Sequence, residues 1–527
     1  MKIVVCDPIH PKGFELLRSF PEFEVVDASK VDKEKLLEVI EDADGVITRS
    51  PTPVDKKFLD RAKKLKAVVR AGVGVDNVDI DYASKKGVVV MNVPTANTLA
   101  AVELTMAHIL TAARSFTNAV WNLKKEREWN REKWLGIELY GKSLGIIGFG
   151  NIGSRVGVRA KAFGMRVIAY DPYIDSSKVT DLGCEYTTNF DDILKCDFIT
   201  IHTPKTPETI NMITKREIEK MKDGVVLINC ARGGLFNEKD VYEALKSGKI
   251  RWLGIDVYEK EPTTDHPFFE LENTSVTPHI GANTIESQER IAVQAAEAII
   301  EALRGSSYPN ALNLPVNTSN TPKWVIQYLE LAQKMGYLLS QIIKTPIKKV
   351  KVYGSGEISN YLNSLLTFGL VGLLSRVSDK VNYVNANFLA EEKGIELVTD
   401  RVKNDTYKNL VSLRVIAGDE EYSISGTILE GHPRVVELKG FDLEFEPKGR
   451  MILFKNTDVP GVIGEVGMLL GRYKINIADF RLGRKVVGQN RERQAMAVIV
   501  VDDPVSEEVL EELKRLPAAL SVHYISI

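Results

Sequence analysis

Residues 141–171 read GKSLGIIGFGNIGSRVGVRAKAFGMRVIAYD, and this stretch decides how the surrounding chain folds. Its apolar run Leu144–Ile147 predicts a buried strand that leads into GFGNIG at 148–153, a GxGxxG sequence. A helical stretch follows, and a second predicted strand, Met165–Tyr170, ends at Asp171. Strand, glycine loop, helix, strand and acid in this order predict a dinucleotide-binding unit. The alternative is a glycine-rich turn with a purely structural role.

The glycine loop suits a pyrophosphate group. Gly148 permits the tight turn out of the strand, Gly150 lets the backbone approach the phosphates, and Gly153 lets the helix pack on the strand. The free N–H groups at the helix start, on Asn151 and Ile152, and the positive end of the helix dipole favour phosphate. These five residues are therefore predicted to bind the cofactor.

Asp171 predicts which dinucleotide is bound. It lies 23 residues after Gly148, close to the expected spacing of roughly 20 for an acid that accepts hydrogen bonds from a ribose. A carboxylate repels a 2′-phosphate, and the next residue is Pro172 rather than an arginine. The sequence therefore favours NAD over NADP.

The composition excludes several classes of protein. With 527 residues, at roughly 150 per domain, the chain has room for three or four domains. A formal net charge of −2 gives no attraction to nucleic acid or to an anionic membrane surface, and no apolar run approaches the roughly 18 residues of a membrane span. The four cysteines are scattered without a CxxC pair, which suits a reducing cytoplasm and predicts neither a metal site nor disulfides.

The rest of the chain divides at changes of pattern. Up to about residue 96, short apolar strands alternate with helices, which predicts a parallel sheet covered on both faces. A Pro-, Asn- and Ser-rich stretch, SSYPNALNLPVNTSNTP at 306–322, predicts a domain boundary. Residues 316–447 are mixed α and β without a catalytic constellation, and 450–527 have the βαββαβ order of a ferredoxin-like domain.

The first 315 residues or so resemble the D-2-hydroxyacid dehydrogenase family. Five motifs carry the resemblance, in the family's order: RAGVGVDN at 70–77, GFGNIG at 148–153, INCARGG at 228–234, DVYEKEP at 256–262 and TPHIGA at 277–282. The resemblance implies an α/β protein with two doubly wound parallel-sheet lobes. A Rossmann-type cofactor lobe, 97–284, is expected to be inserted into a flavodoxin-like substrate lobe made of 1–96 and 285–315.

The C-terminal half is similar to that of the long-form members of this family. The resemblance then implies an intervening regulatory α+β domain at 316–447 and an ACT domain at 450–527. It further implies NAD-dependent oxidation of D-3-phosphoglycerate to 3-phosphohydroxypyruvate, which opens L-serine biosynthesis, with L-serine as effector and a homodimer or homotetramer. The alternatives are a dehydrogenase of another 2-hydroxy or 2-oxo acid, and a dinucleotide-sensing corepressor built on this fold.

The resemblance assigns three catalytic residues. His279 would be the base that takes the hydroxyl proton, and Glu261 would hold the second imidazole nitrogen. Arg232 would grip the substrate carboxylate with its planar pair of donors. Alone, His279 could be a structural histidine after a strand, and Glu261 a solvated loop acid.

The resemblance also assigns residues around the two ligands. Asp256 would meet the nicotinamide side of the cofactor. The other expected cofactor contacts are Val73, Thr203, Cys230, Ala231, Arg232, His279, Gly281 and Ala282. The substrate phosphate needs cations and N–H groups, and its candidates are Arg49, Ser50, Arg70, Gly72, Val73 and Arg131. Arg131 would reach a neighbouring subunit's site, or else lie on a solvated helix face.

In the ACT-like region, the sequence NTDVPG at 456–461 joins a strand to a helix. Asn456, Asp458 and Asn476 are the candidates for binding an amino-acid effector at a subunit interface. Asp458 could equally serve as the N-cap of the helix, with Pro460 in its first turn. The two roles are compatible.

Overall fold

The computed structural model describes residues 1–316, 321–378, 380–487 and 492–527, which form four β-sheets with flanking helices. Residues 317–320, inside the stretch predicted as a domain boundary, lie outside the described residues. The limits of the predicted domains stay a prediction, whereas the predicted fold class is confirmed by the four sheets and their strand orders.

The first sheet is parallel and has the order β2-β1-β3-β4-β5, which is the flavodoxin-like order. Its strands are β1 (Lys2–Val5), β2 (Glu24–Asp27), β3 (Gly45–Thr48), β4 (Ala67–Arg70) and β5 (Val89–Asn92). The helices between them are α1 (Pro11–Arg18), α2 (Lys33–Val39), α3 (Lys56–Arg61) and α4 (Ile80–Lys85). Two of these strands, β3 and β5, are buried at every residue, and β1 is buried at all but Lys2, as expected for a parallel sheet covered on both faces.

The second sheet is also parallel, and its order β12-β11-β10-β9-β6-β7-β8 contains the Rossmann arrangement with one added strand. Its strands are β6 (Ser143–Ile147), β7 (Arg166–Tyr170), β8 (Glu185–Tyr186), β9 (Phe198–Ile201), β10 (Val225–Asn229), β11 (Ile250–Ile255) and β12 (Thr274–Val276). The helices before and within it are α5 (Thr98–Arg114), α6 (Phe116–Trp121), α7 (Asn151–Ala162), α8 (Ser177–Thr180), α9 (Phe190–Leu194), α10 (Lys215–Lys220) and α11 (Glu238–Ser247).

The chain then returns to the first sheet through α12 (Ile285–Arg304). This helix packs so closely on the first lobe that a side chain at Gly45 would lie 2.8 Å from Ile299, and one at Gly13 would lie 3.0 Å from Ala292. The backbone therefore passes between the two parallel sheets twice, once between β5 and β6 and once between β12 and α12. The carboxyl ends of the strands, where ligands collect in such sheets, border this cleft.

The third sheet is mixed: β13 and β14 are parallel, and the remaining pairs are antiparallel. Its strands are β13 (Ile347–Ser355), β14 (Glu396–Arg401), β15 (Leu410–Ala417), β16 (Glu420–Leu429), β17 (His432–Leu438) and β18 (Phe441–Phe445). Its helices are α13 (Lys323–Ile342), α14 (Leu362–Leu374) and α15 (Ala386–Glu392). Gly336 and Gly372 let α13 and α14 touch backbone to backbone, since a side chain at either would overlap a carbonyl oxygen of the other helix.

The fourth sheet has the predicted ferredoxin-like fold, with strand order β20-β21-β19-β22. Its elements are β19 (Arg450–Thr457), α16 (Val462–Arg472), β20 (Ile477–Val487), β21 (Glu492–Val501), α17 (Glu507–Lys514) and β22 (Ala519–Ser526). One face is covered by α16 and α17. The other face was not predicted to be covered, yet Met451, Leu453 and Val498 share a core with α13 and the third sheet.

Candidate active site

The three glycines of GFGNIG have three different steric surroundings. Gly148 has a φ of +86°, and a side chain there would lie 2.9 Å from the carbonyl group of His202. A side chain at Gly153 would overlap the carbonyl oxygen of Gly148, so helix α7 packs directly on the turn. Gly150, in contrast, faces open space, with no atom within 4 Å of where a Cβ would lie. The loop therefore leaves its backbone accessible at the position where a pyrophosphate is expected.

Asp171 lies at the carboxyl end of β7, beside this loop. Its Oδ2 accepts the N–H of Phe149 at 2.9 Å, and its Oδ1 accepts the N–H of Tyr173 at 3.0 Å. The carboxylate is thus held next to the glycine turn by two backbone groups. Next to Gly148, the Oγ1 of Thr203 is buried with no hydrogen-bond partner among the described residues. A buried orphan hydroxyl beside an open glycine loop fits a bound dinucleotide.

His279 and Glu261 form a hydrogen-bonded pair at the edge of the cleft. The Nδ1 of His279 lies 2.6 Å from Glu261 Oε2, and Glu261 Oε1 accepts the N–H of Tyr258 at 2.8 Å. About half of the His279 side chain, 48%, is exposed, so its Nε2 is free to meet a ligand. Burial raises the pKa of Glu261, but the hydrogen bonds from His279 and Tyr258 outweigh it and hold that pKa below its usual value.

Asp256 holds the loop that carries His279. Its carboxylate accepts the hydroxyl of Thr277 at 2.6 Å and the N–H groups of Ile280 and Gly281 at 2.8 Å each. Asp256 is only 1% exposed, and burial raises its pKa despite these three donors. Both oxygens are occupied by the chain's own loop, so Asp256 supports the backbone around His279. Its contact with a nicotinamide stays a prediction.

Three arginines come together across the cleft. Arg70 donates to Ser50 Oγ at 2.7 Å, while its buried Nε has no hydrogen-bond partner among the described residues. Burial, together with the positive charges of Arg232 and Arg49, lowers the pKa of Arg70 to about 10. Burial also lowers the pKa of Arg49. Like charges held this close, with a donor left unsatisfied, would be stabilised by an anion.

Arg232 is the member of this cluster that comes from the cofactor lobe. Its Nη1 donates to its neighbour's carbonyl oxygen, that of Ala231, at 2.7 Å. Its Nε lies 3.8 Å from Asp76 Oδ2, and a side chain at Gly74 would lie 2.6 Å from its Nη2. The segment after β4 therefore closes over Arg232. The RAGVGVDN and INCARGG motifs are therefore in contact in the structure.

Two residues that sequence reasoning missed hold the Arg49 loop. Asp7, 5% exposed at the carboxyl end of β1, accepts the N–H of Arg49 at 2.6 Å and the hydroxyl of Thr52 at 2.9 Å. Asn77 donates to the carbonyl oxygens of Arg49 at 2.8 Å and Thr52 at 2.7 Å. The available signal for Asp7 was an acid directly after a buried strand, and for Asn77 its place in RAGVGVDN.

Two predicted substrate contacts differ in the structure: the N–H of Gly72 is already bonded, and Arg131 lies away from the other arginines. The N–H of Gly72 donates to the carbonyl oxygen of Arg70 at 2.8 Å, so it is not offered to a phosphate as expected. Val73 accepts from Asn92 through its carbonyl oxygen at 2.7 Å. Arg131 lies in an exposed turn after α6 and is not brought to the other arginines within the described chain.

The remaining cofactor candidates lie after the carboxyl ends of β10 and β12. Cys230 is 8% exposed, and burial raises the pKa of its thiol. Ala231, Gly281 and Ala282 follow the ends of β10 and β12 at the cleft. The described residues contain no cluster of His, Cys, Asp and Glu that could hold a metal ion. No helix in the described ranges is both long enough and apolar enough to cross a membrane.

The predicted effector residues are separated within one chain. Thr457, next to Asp458, pairs with Gln494, whereas Ile477, next to Asn476, pairs with Val501. Seven residues of β21 separate these two positions, or roughly 24 Å at about 3.4 Å per residue.

Each of these side chains also has a partner of its own. Asp458 lies 3.5 Å from Arg484, and Asn476 donates to Asp502 at 2.6 Å. The side chain of Asn456, which is buried, donates to the carbonyl oxygen of Thr457 at 2.7 Å. The alternative role of Asp458 as a helix cap is wrong, because α16 begins after Gly461 and has no side-chain cap.

Comparison with known proteins follows this division of the chain. Residues 106–281 match the NAD-binding domain of D-isomer specific 2-hydroxyacid dehydrogenases, 325–439 the D-3-phosphoglycerate dehydrogenase intervening domain, and 450–518 the ACT domain. The D-3-phosphoglycerate dehydrogenase of Methanocaldococcus jannaschii is 39% identical over 530 residues and covers 100% of both chains. That of Archaeoglobus fulgidus is 38% identical over 532 residues, again with 100% of both chains covered.

The chain belongs to the D-3-phosphoglycerate dehydrogenase family. The family resemblance inferred from the five motifs is thereby confirmed, as is an NAD-dependent oxidoreductase with an NAD-binding domain. A solved D-lactate dehydrogenase of Aquifex aeolicus, complexed with NAD and lactic acid, is 30% identical, with a TM-score of 0.51 over 58% of this chain and 96% of its own. The two N-terminal lobes are thus similar to a dehydrogenase solved with its cofactor.

We expect kcat/KM with NAD to exceed that with NADP by roughly 10-fold to 100-fold, because the Asp171 carboxylate repels a 2′-phosphate. Asp171→Asn should lower this NAD-to-NADP ratio by removing the negative charge of the carboxylate. Asp175→Asn is the matched control, since Asp175 is an exposed acid on the same loop that accepts the N–H of Ser177 at 2.8 Å. Steady-state rates with both cofactors test this, and an equal or higher kcat/KM with NADP in the wild type would contradict it.

Proposed function

We propose that this protein catalyses the NAD-dependent oxidation of D-3-phosphoglycerate to 3-phosphohydroxypyruvate, the first step of L-serine biosynthesis. The observation that carries the proposal is the position of Arg232. Its positive charge lowers the pKa of Glu261 and also that of Arg70. Arg232 therefore lies between the His279–Glu261 pair and the other two arginines. A substrate with a carboxylate at one end and a phosphate at the other matches this order of groups.

The proposed chemistry assigns one task to each side chain. The Nε2 of His279 accepts the proton of the C2 hydroxyl, while Glu261, bonded to Nδ1, stabilises the imidazolium that forms. Arg232 binds the carboxylate and polarises the developing carbonyl oxygen. NAD, when bound, supplies the nicotinamide ring that accepts the hydride from C2. The residues of the chain thus orient the substrate and hold its proton.

The phosphate is proposed to lie against Arg49, Ser50 and Arg70. The unsatisfied Nε of Arg70 gives it an unused donor, and the dianion would offset the repulsion among the three guanidinium groups. The loop that carries Arg49 and Ser50 is fixed by Asp7 and Asn77. The site is therefore rigid before the substrate arrives, which lowers the entropy cost of binding.

Arg70→Ala and Arg49→Ala should each raise KM for D-3-phosphoglycerate by roughly 10-fold to 150-fold, the value of one charge-assisted hydrogen bond at about 1.5–3 kcal/mol. The cofactor KM should stay close to the wild-type value. Arg61→Ala is the control, since Arg61 is a half-exposed arginine of the same lobe that pairs with Glu41 at 3.1 Å. An unchanged substrate KM in both variants would place the phosphate elsewhere.

Assaying NAD reduction with different acids tests the proposed substrate directly. D-3-phosphoglycerate should be oxidised with a much higher kcat/KM than D-lactate or D-glycerate, which lack the phosphate. A second carboxylate could occupy the arginine cluster, so D-2-hydroxyglutarate belongs in the same series. If any of these acids gave a higher kcat/KM than D-3-phosphoglycerate, that acid would be the substrate instead.

Self-association is proposed through the exposed segment that carries Arg131. This segment exposes large apolar side chains to an unusual degree, with Trp129 and Leu135 each 82% exposed, Phe116 63% and Trp121 60%. Exposed apolar patches of this kind mark protein interfaces. A second copy of the chain would cover them and bring Arg131 toward its active site. Light scattering of wild type and Trp129→Glu tests this, because a single buried charge should dissociate the assembly.

The ACT domain is proposed to bind L-serine between two chains. Asp458 and Asn476 lie at opposite ends of one sheet, so a single small ligand can touch both only if they come from different copies. Asp458 would exchange Arg484 for the ammonium group of serine. The uncapped N–H groups at the start of α16 would receive the carboxylate.

We also propose that the protein works in the cytoplasm. All four cysteines are buried and unpaired, and burial raises the pKa of each thiol. Such inert thiols suit a reducing compartment. Fractionation of the source cells with an antibody against this chain tests the location.

A further inference from the structure

Five side chains, four of them buried and the fifth, Thr277, partly buried, form a continuous hydrogen-bonded row behind the catalytic loop. At its centre is His108 on α5, which is 4% exposed. Its Nδ1 lies 2.8 Å from Ser275 Oγ, and its Nε2 lies 3.2 Å from Thr277 Oγ1. At one end, the indole Nε1 of Trp252 donates to Ser275 Oγ at 3.2 Å. At the other end, Thr277 donates to Asp256 at 2.6 Å.

The two ends determine where every proton in this row lies. The Asp256 carboxylate only accepts, so the hydroxyl of Thr277 donates to it, at 2.6 Å, rather than to the carbonyl oxygen of Ile255 at 3.5 Å. Thr277 Oγ1 must then accept from His108, which places a proton on Nε2. At the far end the indole of Trp252 only donates, so Ser275 Oγ accepts from it.

Ser275 is then free to donate its own proton to Nδ1 of His108, which the neutral imidazole offers as an acceptor. Each side chain therefore donates to the next in one direction, from Trp252 through Ser275, His108 and Thr277 to Asp256. No donor faces another donor. Burial lowers the pKa of His108 to about 4, which keeps the ring neutral. A proton on Nδ1 would leave the Ser275 hydroxyl facing two donors.

We propose that His108 is a positioning residue of this dehydrogenase, which acts on His279 through Thr277 and Asp256. The Nε2–H of His108 fixes the Thr277 hydroxyl on Asp256, and Asp256 holds the N–H groups of Ile280 and Gly281. These two groups directly follow His279 in the chain. The row therefore sets the position of the catalytic histidine from a helix on the far side of the loop.

The backbone of His279 explains why such support is needed. His279 has a φ of +52°, in the left-handed region that a residue with a side chain adopts only under constraint. A strained conformation of this kind persists when its surroundings over-determine it. Without the His108 donor, the Thr277 hydroxyl can turn to Ile255, and one of the three donors on Asp256 is lost. The loop then relaxes, and the imidazole moves relative to the substrate.

A pair of variants with matched shape tests this inference, which rests on the proposed function for its activity assay. His108→Gln keeps a donor and an acceptor, whereas His108→Met has a similar length and neither strong group. We expect His108→Met to lower kcat for D-3-phosphoglycerate by roughly 10-fold to 100-fold, as for a misplaced catalytic group. His108→Gln should stay within about 3-fold of wild type, and NAD affinity, measured by fluorescence titration, should be unchanged in both.

A double-mutant cycle separates positioning from general damage to the fold. Thr277→Val breaks the row between His108 and Asp256, so adding His108→Met to Thr277→Val should cost almost nothing further. If the two single losses of kcat multiplied in the double variant, the residues would act independently and the proposal would be wrong. Equal losses of kcat in His108→Gln and His108→Met would overturn it as well, since only one of them retains the hydrogen bonds.

The proton assignment is testable without any turnover. In wild-type protein labelled with ¹⁵N-histidine, the signal of His108, identified by its absence in His108→Gln, should show a protonated Nε2 and an unprotonated Nδ1 at neutral pH. The opposite tautomer or a charged ring would overturn the proposed row. If the wild type fails to oxidise D-3-phosphoglycerate, the proposed substrate is wrong, and the tautomer still decides the role of His108.

Discussion

Replacing His279 by alanine is expected to lower kcat for D-3-phosphoglycerate oxidation by roughly 10²-fold to 10⁴-fold, the usual cost of losing a positioned general base. The half-exposed imidazole is held by Glu261 at 2.6 Å, and its Nε2 has no hydrogen-bond partner among the described residues, so its removal would delete the proposed proton acceptor. NAD affinity should stay nearly unchanged, because the glycine loop and Asp171 lie in a different part of the cleft. Steady-state kinetics and a separate NAD titration measure the two effects.

A second histidine–glutamate pair in the same lobe provides the control. The Nε2 of His266 lies 3.0 Å from Glu238 Oε2, but this imidazole is largely buried, with 13% of its side chain exposed. His279→Gln and His266→Gln both keep an amide that can bond the glutamate. Only the first should lose turnover. A His279→Ala enzyme with half the wild-type kcat would remove His279 from the proton-transfer role.

Replacing Asp458 by alanine is expected to abolish inhibition by L-serine while leaving uninhibited turnover almost unchanged. Asp458 lies far from the catalytic cleft and carries the only proposed charge for the serine ammonium group. A ligand that inhibits from there must favour a less active arrangement of domains, so losing its binding contact removes the effect. Serine titrations of wild type and variant under identical conditions provide the measurement.

Glu511→Ala is the control for this experiment, because Glu511 is an acid of the same domain that pairs with Lys514 at 2.7 Å on α17. It should keep full serine sensitivity. Wild type that ignores millimolar serine, or equal inhibition of wild type and Asp458→Ala, would contradict the proposed effector site. Truncation before the ACT domain is a poorer test, since Leu453 and Val498 form part of the core around α13.

The face of the ACT sheet that packs on α13 offers a route by which an effector bound to this domain would act on the rest of the chain. Ser526 and Gln341 exchange hydrogen bonds at 3.1 and 3.2 Å, which ties β22 to α13. The intervening domain in turn touches the substrate lobe, where Asn382 donates to the carbonyl oxygen of Gly87 at 2.9 Å. A contiguous set of packed elements therefore connects the ACT sheet to the lobe that carries Arg70.

Much of this protein could be predicted from local sequence. GFGNIG predicted the strand–turn–helix unit, because Gly148 permits the positive φ of the turn and Gly153 permits the helix to pack against it. The βαββαβ pattern predicted the ferredoxin-like domain, because the order of strands and helices can be read from local periodicity. Asp171 and Pro172 predicted NAD, and the family resemblance of EKEP and PHIGA paired Glu261 with His279.

Long-range hydrogen bonds decided the parts that no local pattern indicates. Asp7 bonds to the Arg49 loop 42 residues away, and His108 bonds to Thr277 across 169 residues. A lone acid or histidine in a sequence has the same appearance whether it is solvated or satisfied by a distant partner. Only the packed chain shows which distant partner satisfies each of these buried groups.

Strand register and the packing of one domain on another were likewise beyond the sequence. The pattern placed Asp458 and Asn476 in one small domain, but the pairing of β19 and β20 with β21 puts them at opposite ends of the sheet. The alternation in β19 marked an apolar face without indicating what covers it, and α13 does so. Local sequence determines which side chains avoid water, whereas the assembly of the whole chain determines which surfaces meet, because burial by itself has no direction.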